Sequence, residues 1–281
     1  MPELPEVETV RRGLAARVVG RPIIRVDQRR LKLRIPLPDN FPARVQGRKV
    51  ASLGRRAKYL LWYLDDGNVL VVHLGMSGRM SIVEADGSDD QVPGNGRHDH
   101  VVFHLDDGTS VVFNDPRRFG LMTLIRETDL PGHPFFKDLG PEPLSNGFNG
   151  DVLSAAVRGR RTPIKAALLD QKVVAGLGNI YVCEALYRAG ISPRRMAASV
   201  AGKRAERLAR HIRDVLAEAI EAGGSTLRDY VQADGALGYF QYDHAVYGRE
   251  GEPCPDCTCP QGVQRIVQSN RSTFYCSVRQ R

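Results

Sequence analysis

The chain contains no run of about 18 apolar residues, which excludes a transmembrane helix of ordinary length. Its start, Met1-Pro2-Glu3-Leu4-Pro5-Glu6, lacks the basic and then apolar stretch of a secretory leader. Together these absences predict a cytoplasmic protein with reduced thiols. Cysteine is scarce: Cys183 stands alone, and the other four, Cys254, Cys257, Cys259 and Cys276, crowd the last 28 residues. In a reducing compartment such crowding points to a metal before a disulfide. Long repeats and low-complexity tracts are also missing, and a hydrophobic content of 42% is enough for packed cores, so global disorder is not expected.

What is present is basic charge, unevenly placed. The 281 residues carry 40 Lys+Arg and 32 Asp+Glu, a net of +8. Residues 1–150 hold 21 basic and 19 acidic side chains, whereas residues 151–281 hold 19 and 13. The length suggests two domains. A basic second half fits a polyanionic partner, nucleic acid being the commonest.

The apolar spacing orders the elements. Val7, Val10, Leu14 and Val18 recur at helical intervals, with Gly20 as a stop. Short β-type runs follow at Ile23 to Val26, Tyr59 to Leu64, Asn68 to His73, His100 to Leu105 and Ser110 to Phe113. Asp65-Asp66-Gly67 and Asp106-Asp107-Gly108 join two pairs of them as hairpin turns. The polar stretch Ala85 to Gly96 reads as a loop, and the Pro/Gly-rich stretch Pro131 to Gly150 as a linker. In Ala198 to Ala222, Leu208, Ile212, Val215, Leu216 and Ile220 form one apolar helix face, ended by Gly223-Gly224. Thr226 to Tyr247 reads as a mobile loop. The expected architecture is α+β. An antiparallel β-sandwich led by a helix spans residues 1–140, with a linker at 141–150. A helical domain covers 151–247 and a cysteine-bearing β-hairpin 248–281.

The chain start carries specific chemistry. Removal of Met1 leaves Pro2 as a secondary amine. An α-amine has a pKa of about 7.7–8 and a helix N-terminus lowers it, so a neutral nucleophile is available near neutral pH. Such an amine forms an iminium with a sugar carbon, and Glu3 and Glu6 are placed to move protons. The plainer reading is that Pro and Glu simply start a helix. One tension remains: the dipole that activates the amine also favours ionised Glu3, whereas a general acid needs a raised pKa.

Pro2-Glu3-Leu4-Pro5-Glu6-Val7-Glu8 resembles the start of bacterial formamidopyrimidine-DNA glycosylases, enzymes that excise oxidised purines. The resemblance continues in order along nearly the whole chain. It runs through Arg56-Ala57-Lys58-Tyr59-Leu60, His73-Leu74-Gly75-Met76-Ser77-Gly78 and Asn114-Asp115-Pro116-Arg117-Arg118-Phe119-Gly120. It also takes in Asp170-Gln171, Gly176-Leu177-Gly178-Asn179-Ile180-Tyr181 and the cysteine-rich tail.

The resemblance implies a bifunctional glycosylase and abasic-site lyase. It would act on duplex DNA containing oxidised purines or abasic sites, in base excision repair, as a nucleoid-associated monomer. Pro2 would be the nucleophile and Glu3 the carboxyl group exchanging protons with the deoxyribose. Glu6 would be a supporting carboxylate, and Lys58 and Arg271 phosphate-holding catalytic residues. Met76, Arg117 and Phe119 would fill the void left by an everted nucleotide, a role that suits a flexible thioether, a pairing guanidinium and a stacking ring. His100, Arg118, Lys165 and Asn179 would contact DNA, the last two from a helix–two-turn–helix element. Ser225-Thr226 through Tyr242 resembles the loop that covers the everted purine. Two rival readings are an endonuclease VIII-like enzyme for oxidised pyrimidines and a lesion-binding protein without catalysis.

The tail departs from the family pattern of two Cys-x2-Cys pairs around one structural zinc. Cys254-Pro255-Asp256-Cys257 and Cys276 are present, but Arg279 stands where the fourth cysteine belongs, and Cys259 is an extra thiol. Cys259 supplies the fourth ligand, or three thiolates bind zinc with an outside ligand, or the finger folds with little metal. Finally, His98, Asp99, His100 and His104 could suggest a second metal cluster, but hydrogen-bonded roles on a strand are the simpler expectation.

Overall fold

The computed structural model describes residues 2–84, 96–226 and 232–281. Helix α1 (Leu4–Val18) starts at Pro5 in its first turn, where a missing N–H costs nothing, and buries Leu4, Val7, Val10, Leu14 and Val18. Gly20 then takes φ +84°, closing the helix where the spacing predicts. Strand β1 (Ile23–Gln28) and the short α2 (Phe41–Val45) follow. The next strands are β2 (Val50–Arg56), β3 (Tyr59–Leu64), β4 (Asn68–His73), β5 (Arg79–Val83), β6 (Asp99–Leu105), β7 (Ser110–Asn114) and β8 (Leu121–Arg126).

These strands form two antiparallel four-stranded sheets, ordered β1-β6-β7-β5 and β2-β3-β4-β8. Both Asp-Gly hairpins are present, joining β3 to β4 and β6 to β7, with Gly67 and Gly108 at positive φ. Side chains of both sheets and of α1 share one core, among them Leu14, Phe41, Trp62, Val72, Phe103 and Phe113. Strands β2 and β5, which carry Ser, Gly or Arg at alternate places, and β8 lie outside the runs that the sequence marks as strands.

The second part contains α3 (Gly150–Val157), α4 (Ile164–Leu169), α5 (Asn179–Arg188) and α6 (Lys203–Glu221), then the hairpin β9 (Gln264–Gln268) and β10 (Arg271–Tyr275). Leu208, Ile212, Val215, Leu216 and Ile220 of α6 are all buried, as the spacing requires. Gly223 and Gly224 end the helix at φ +76° and +84°.

The chain divides into two compact units, Met1–Lys137 with Ala222–Tyr239, and Asp138–Glu221 with Phe240–Arg281. This differs from the expected boundaries in three ways. The segment 222–239 belongs with the sheets rather than with the helices. Ile82 donates its amide to the Ala233 carbonyl, and Ala233 sits in the sheet core. Residues 141–150 are not a free linker, because Gly140 donates to Gln171 and Ala175 donates to Pro141. The cysteine hairpin is part of the helical unit rather than a module of its own. The loop expected over 85–96 lies almost entirely outside the described residues, as do residues 227–231 of the loop expected over Thr226 to Tyr247.

Candidate functional site

In the first unit the polar groups gather at the start of α1. Pro2, Glu3 and Glu6 are all buried. Glu6 accepts the Glu3 amide at 2.8 Å with one oxygen and the Ser225 amide at 2.9 Å with the other. Its carboxylate therefore joins the chain start to a segment 219 positions away. Tying of the proline end is thus an observed duty of Glu6.

Lys58 lies in the two-residue turn between β2 and β3, where Arg56 pairs with Tyr59. It is 6% exposed, so the solvated side chain expected of an ordinary strand-end lysine is not what forms. The turn is conformationally costly, because Ala57 holds φ +52° without being glycine. Arg55 steadies it, donating to the Ala57 carbonyl at 2.9 Å and, through Nε, to Glu8 at 3.2 Å. Glu8 also receives Arg11 at 2.7 Å and Arg12 at 3.2 Å. Burial pushes the Glu8 carboxyl up, but Arg11, Arg55 and Arg12 outweigh it and hold the group below its ordinary value. Glu8 and Arg55 thus link the helix that carries Pro2 to the turn that carries Lys58.

His73, at the end of β4, is pushed down to about 4 by burial and by the positive charges of Lys58 and Arg34. Neutral imidazole is what the geometry uses, since His73 Nδ1 accepts the Gly75 amide at 2.9 Å. Beyond it, Met76 and Phe119 are 37% and 46% exposed. Neither is core, the ordinary place for such residues. The Arg117 guanidinium lies 4.7 Å from the Phe119 ring centroid. Arg118 is exposed and held at φ +55°. His100 is 3% exposed, and its Nε2 bonds to the Asp115 carbonyl at 2.9 Å. His104 bonds to Asp27 and Ser110, the hydrogen-bonded role expected.

In the second unit, Gln171 staples the turn between α4 and α5, accepting from Gly176 and donating to the Leu177 carbonyl. Asn179 opens α5, donating to the Ser272 carbonyl at 2.9 Å and to Tyr247 at 3.4 Å. Lys165 lies in the first turn of α4. It is fully buried, and its ammonium donates to the Thr273 hydroxyl at 2.7 Å and the Ser272 carbonyl at 3.2 Å. These bonds tie the hairpin to α4. Glu184, not singled out from sequence, is fully buried and accepts the amides of Ala245, Val246 and Tyr247. A lone Glu on a helix carries no signal that would have revealed this. The hairpin turns through Ser269 and Asn270, both at positive φ, as a two-residue I′ turn requires, and presents Arg271 exposed at the start of β10.

The four tail cysteines come together, all sulfurs lying within 4.8 Å of one another. Cys276 Sγ is 3.6 Å from Cys257 and 3.5 Å from Cys259. Four thiolates at tetrahedral corners about 2.3 Å from a zinc ion stand about 3.8 Å apart, so the donor set and spacing fit. Cys259 is the fourth thiol of this set. Arg279 turns away from it, pairing with Asp256 at 3.2 Å and stacking 4.9 Å from the Tyr187 ring. Burial opposes ionisation of Cys254, but the Tyr187 hydroxyl and the Asp256 amide favour its thiolate and bring it down to about 7.

Comparison with known proteins places this arrangement. Residues 1–122 match the formamidopyrimidine-DNA glycosylase N-terminal domain, and residues 139–231 match the formamidopyrimidine-DNA glycosylase H2TH domain. The chain is 60% identical to a formamidopyrimidine-DNA glycosylase of Beijerinckia indica, covering 100% of both. It is 58% identical to one of Rhodospirillum centenum, again over 100% of both chains. Among solved structures, it is similar to the MutM (Fpg) protein of Thermus thermophilus, with a TM-score of 0.86 and 43% identity over 99% of this chain and 98% of that one. It is also similar to the Lactococcus lactis protein in complex with DNA containing an abasic site, with a TM-score of 0.88 and 34% identity over 99% of both. The chain belongs to the formamidopyrimidine-DNA glycosylase family, DNA glycosylases that act in DNA repair.

Proposed function

We propose that the protein excises oxidised purines from duplex DNA and then cleaves the abasic strand through a Schiff base on Pro2. The Pro2 nitrogen attacks C1′ of the damaged nucleotide, the glycosidic bond breaks, and the base leaves with a proton. The nitrogen gives up its proton, the C1′–O4′ bond opens as a proton is delivered to O4′, and the resulting iminium acidifies the C2′ proton. Its removal expels the 3′ phosphate, and a second elimination expels the 5′ phosphate. Glu3 exchanges protons with the deoxyribose. Lys58 and Arg271 hold phosphates beside the lesion, and Met76, Arg117 and Phe119 fill the void in the duplex.

The observation that carries this reading is the chain start. A buried proline precedes a helix whose Glu6 fixes the first residues by two hydrogen bonds, while the Glu8 and Arg55 tie sets the lysine turn from the same helix. A protein that only binds lesions needs no such tethered amine. Exposed Arg271 at the hairpin tip and exposed Met76 and Phe119 support the DNA-handling roles. Arg118 and Asn179 complete the contacts to the duplex.

The thiol cluster would hold one zinc ion through Cys254, Cys257, Cys259 and Cys276, and the ion would supply folding energy to the hairpin. The protein is taken to act as a monomer.

Borohydride trapping on a duplex containing 8-oxoguanine tests the reading. A covalent adduct is expected with the wild type and none with Pro2→Gly. Absence of the wild-type adduct would remove the Schiff-base mechanism. Preference for thymine glycol over 8-oxoguanine in the same assay would shift the substrate to oxidised pyrimidines.

A further inference from the structure

Two short connections cross between the sheets of the first unit side by side. One runs from His73 to Arg79 and carries Met76; the other runs from Asn114 to Leu121 and carries Arg117 and Phe119. Their flanking strands are paired, His73 with Leu121 and Arg79 with Asn114, but the tips lie beyond those ladders. Ordering exposed tips costs conformational entropy, so something local must hold them.

That something is a carboxylate with no exposure at all. Asp115 Oδ1 accepts the Ser77 hydroxyl at 2.7 Å, and Oδ2 accepts the Gly120 amide at 2.8 Å. Ser77 Oγ, 3% exposed, in turn accepts the Arg117 amide at 3.2 Å. Each bonded group is, or adjoins, one tip residue: Ser77 follows Met76, Gly120 follows Phe119, and Arg117 is itself a tip. The backbone of Asp115 is fixed as well, donating to His98 and accepting from His100 and Arg118. The two connections touch so closely that a Cβ on Gly75 would run into the Phe119 carbonyl carbon and the Gly120 nitrogen. A buried carboxylate filled by an O–H and an N–H is a strong, directional anchor.

We propose that Asp115 and Ser77 are positioning residues: one buried clamp that sets Met76, Arg117 and Phe119 together as a preorganised wedge for the void left by the everted nucleotide. This rests on the void-filling role given to those three side chains above. The clamp acts through the wedge, so its loss matters only where there is a void to fill.

The test compares two substrates. Single-turnover excision is measured on an 8-oxoguanine duplex, and borohydride trapping on a single-stranded abasic oligonucleotide, which has no opposite base and no void. Ser77→Ala and Asp115→Asn are expected to slow duplex excision about 10- to 100-fold, the loss of one or two hydrogen bonds to a charged group. Trapping on the single strand is expected to stay within about twofold, and Ser77→Thr, which keeps the hydroxyl, to recover the duplex rate. In an Arg117→Ala/Phe119→Ala background, adding Ser77→Ala is expected to cost less than about twofold more, because the wedge is already gone. Equal slowing on both substrates, full additivity in that background, or an unchanged duplex rate would each overturn the proposal. Should Asp115→Asn unfold, as thermal melting would reveal, Ser77→Ala carries the test alone. Failure of the wild type to trap on either substrate would instead remove the underlying mechanism, a result distinguishable from failure of the clamp.

Discussion

The two units hold the side chains proposed to handle DNA by different means. In the first, the tips rest on a sheet core, and carboxylates fasten them: buried Glu6 at the chain start, half-buried Glu8 through Arg55 at the lysine turn, buried Asp115 at the paired tips. In the second, Arg271 rides on a hairpin with little apolar footing, for β9 buries no residue fully and β10 buries only Thr273 and Tyr275. A two-stranded hairpin is marginal by itself. Its position comes from polar ties reaching far along the chain, Lys165 to Thr273 and Asn179 to Ser272, from Phe274 packed against Tyr247, and from the thiol cluster. Loss of one tie in the first unit should therefore loosen one tip, whereas loss of a tie in the second should release the whole hairpin.

The largest effect should come from the thiols. Cys259→Ser removes the fourth corner, and the purified variant is expected to lose bound zinc, measured by metal analysis. Affinity for an abasic-analogue duplex should fall by about 100-fold or more, since metal binding and folding are one event in such modules. Adding Arg279→Cys restores a Cys-x2-Cys pair and is expected to restore both zinc and affinity. The contrast sharpens if Cys259→Ser leaves trapping on a single-stranded abasic oligonucleotide near wild type. It breaks if the wild type holds no zinc, or if Cys259→Ser keeps it.

Next in size is Lys165→Met, which keeps the length of the buried chain but strips two hydrogen bonds from a charged donor. At about 1.5–3 kcal/mol for each such bond, the helical unit should lose roughly 3 kcal/mol or more. Duplex affinity should fall with it, although Lys165 itself touches no solvent. A variant that melts like the wild type but shows a reduced salt dependence of binding would return Lys165 to the role of a phosphate contact.

Most of the fold was legible because its signals are local. The α1 periodicity and the two Asp-Gly turns each act over a few residues, and each produced the expected element. The thiol cluster was legible as a metal site, but its fourth corner was not. Arg279 stands where the family's fourth cysteine belongs, and spacing alone leaves open whether Cys259, an outside ligand or nothing replaces it, whereas the fold brings the Cys259 sulfur within 4.8 Å of the other three. What sequence could not show was burial. Lys165 and His100 sit in motifs that look like DNA contacts, yet both are packed inside, because nothing in a motif tells which way a side chain faces. The segment 222–239 was assigned to the helices that precede it, whereas the amide of Ser225 bonds to Glu6, a pairing without any local pattern.

The smallest expected effect concerns His73, which supports the Met76 connection from the sheet side. Its imidazole is held at about 4, below the ordinary 6.5, so over that interval the unfolded chain takes up a proton that the folded chain refuses. The stability it contributes is whole above pH 6.5 and is lost as pH falls toward about 4. His73→Asn keeps an acceptor for the Gly75 amide but does not titrate. Its urea midpoint should decline less steeply than that of the wild type between these pH values, and the two should run parallel above them. Midpoints that stay parallel throughout would show that His73 is protonated in the fold. The Gly75 amide would then need another acceptor, and the first unit would hold that tip by Asp115 and Ser77 alone.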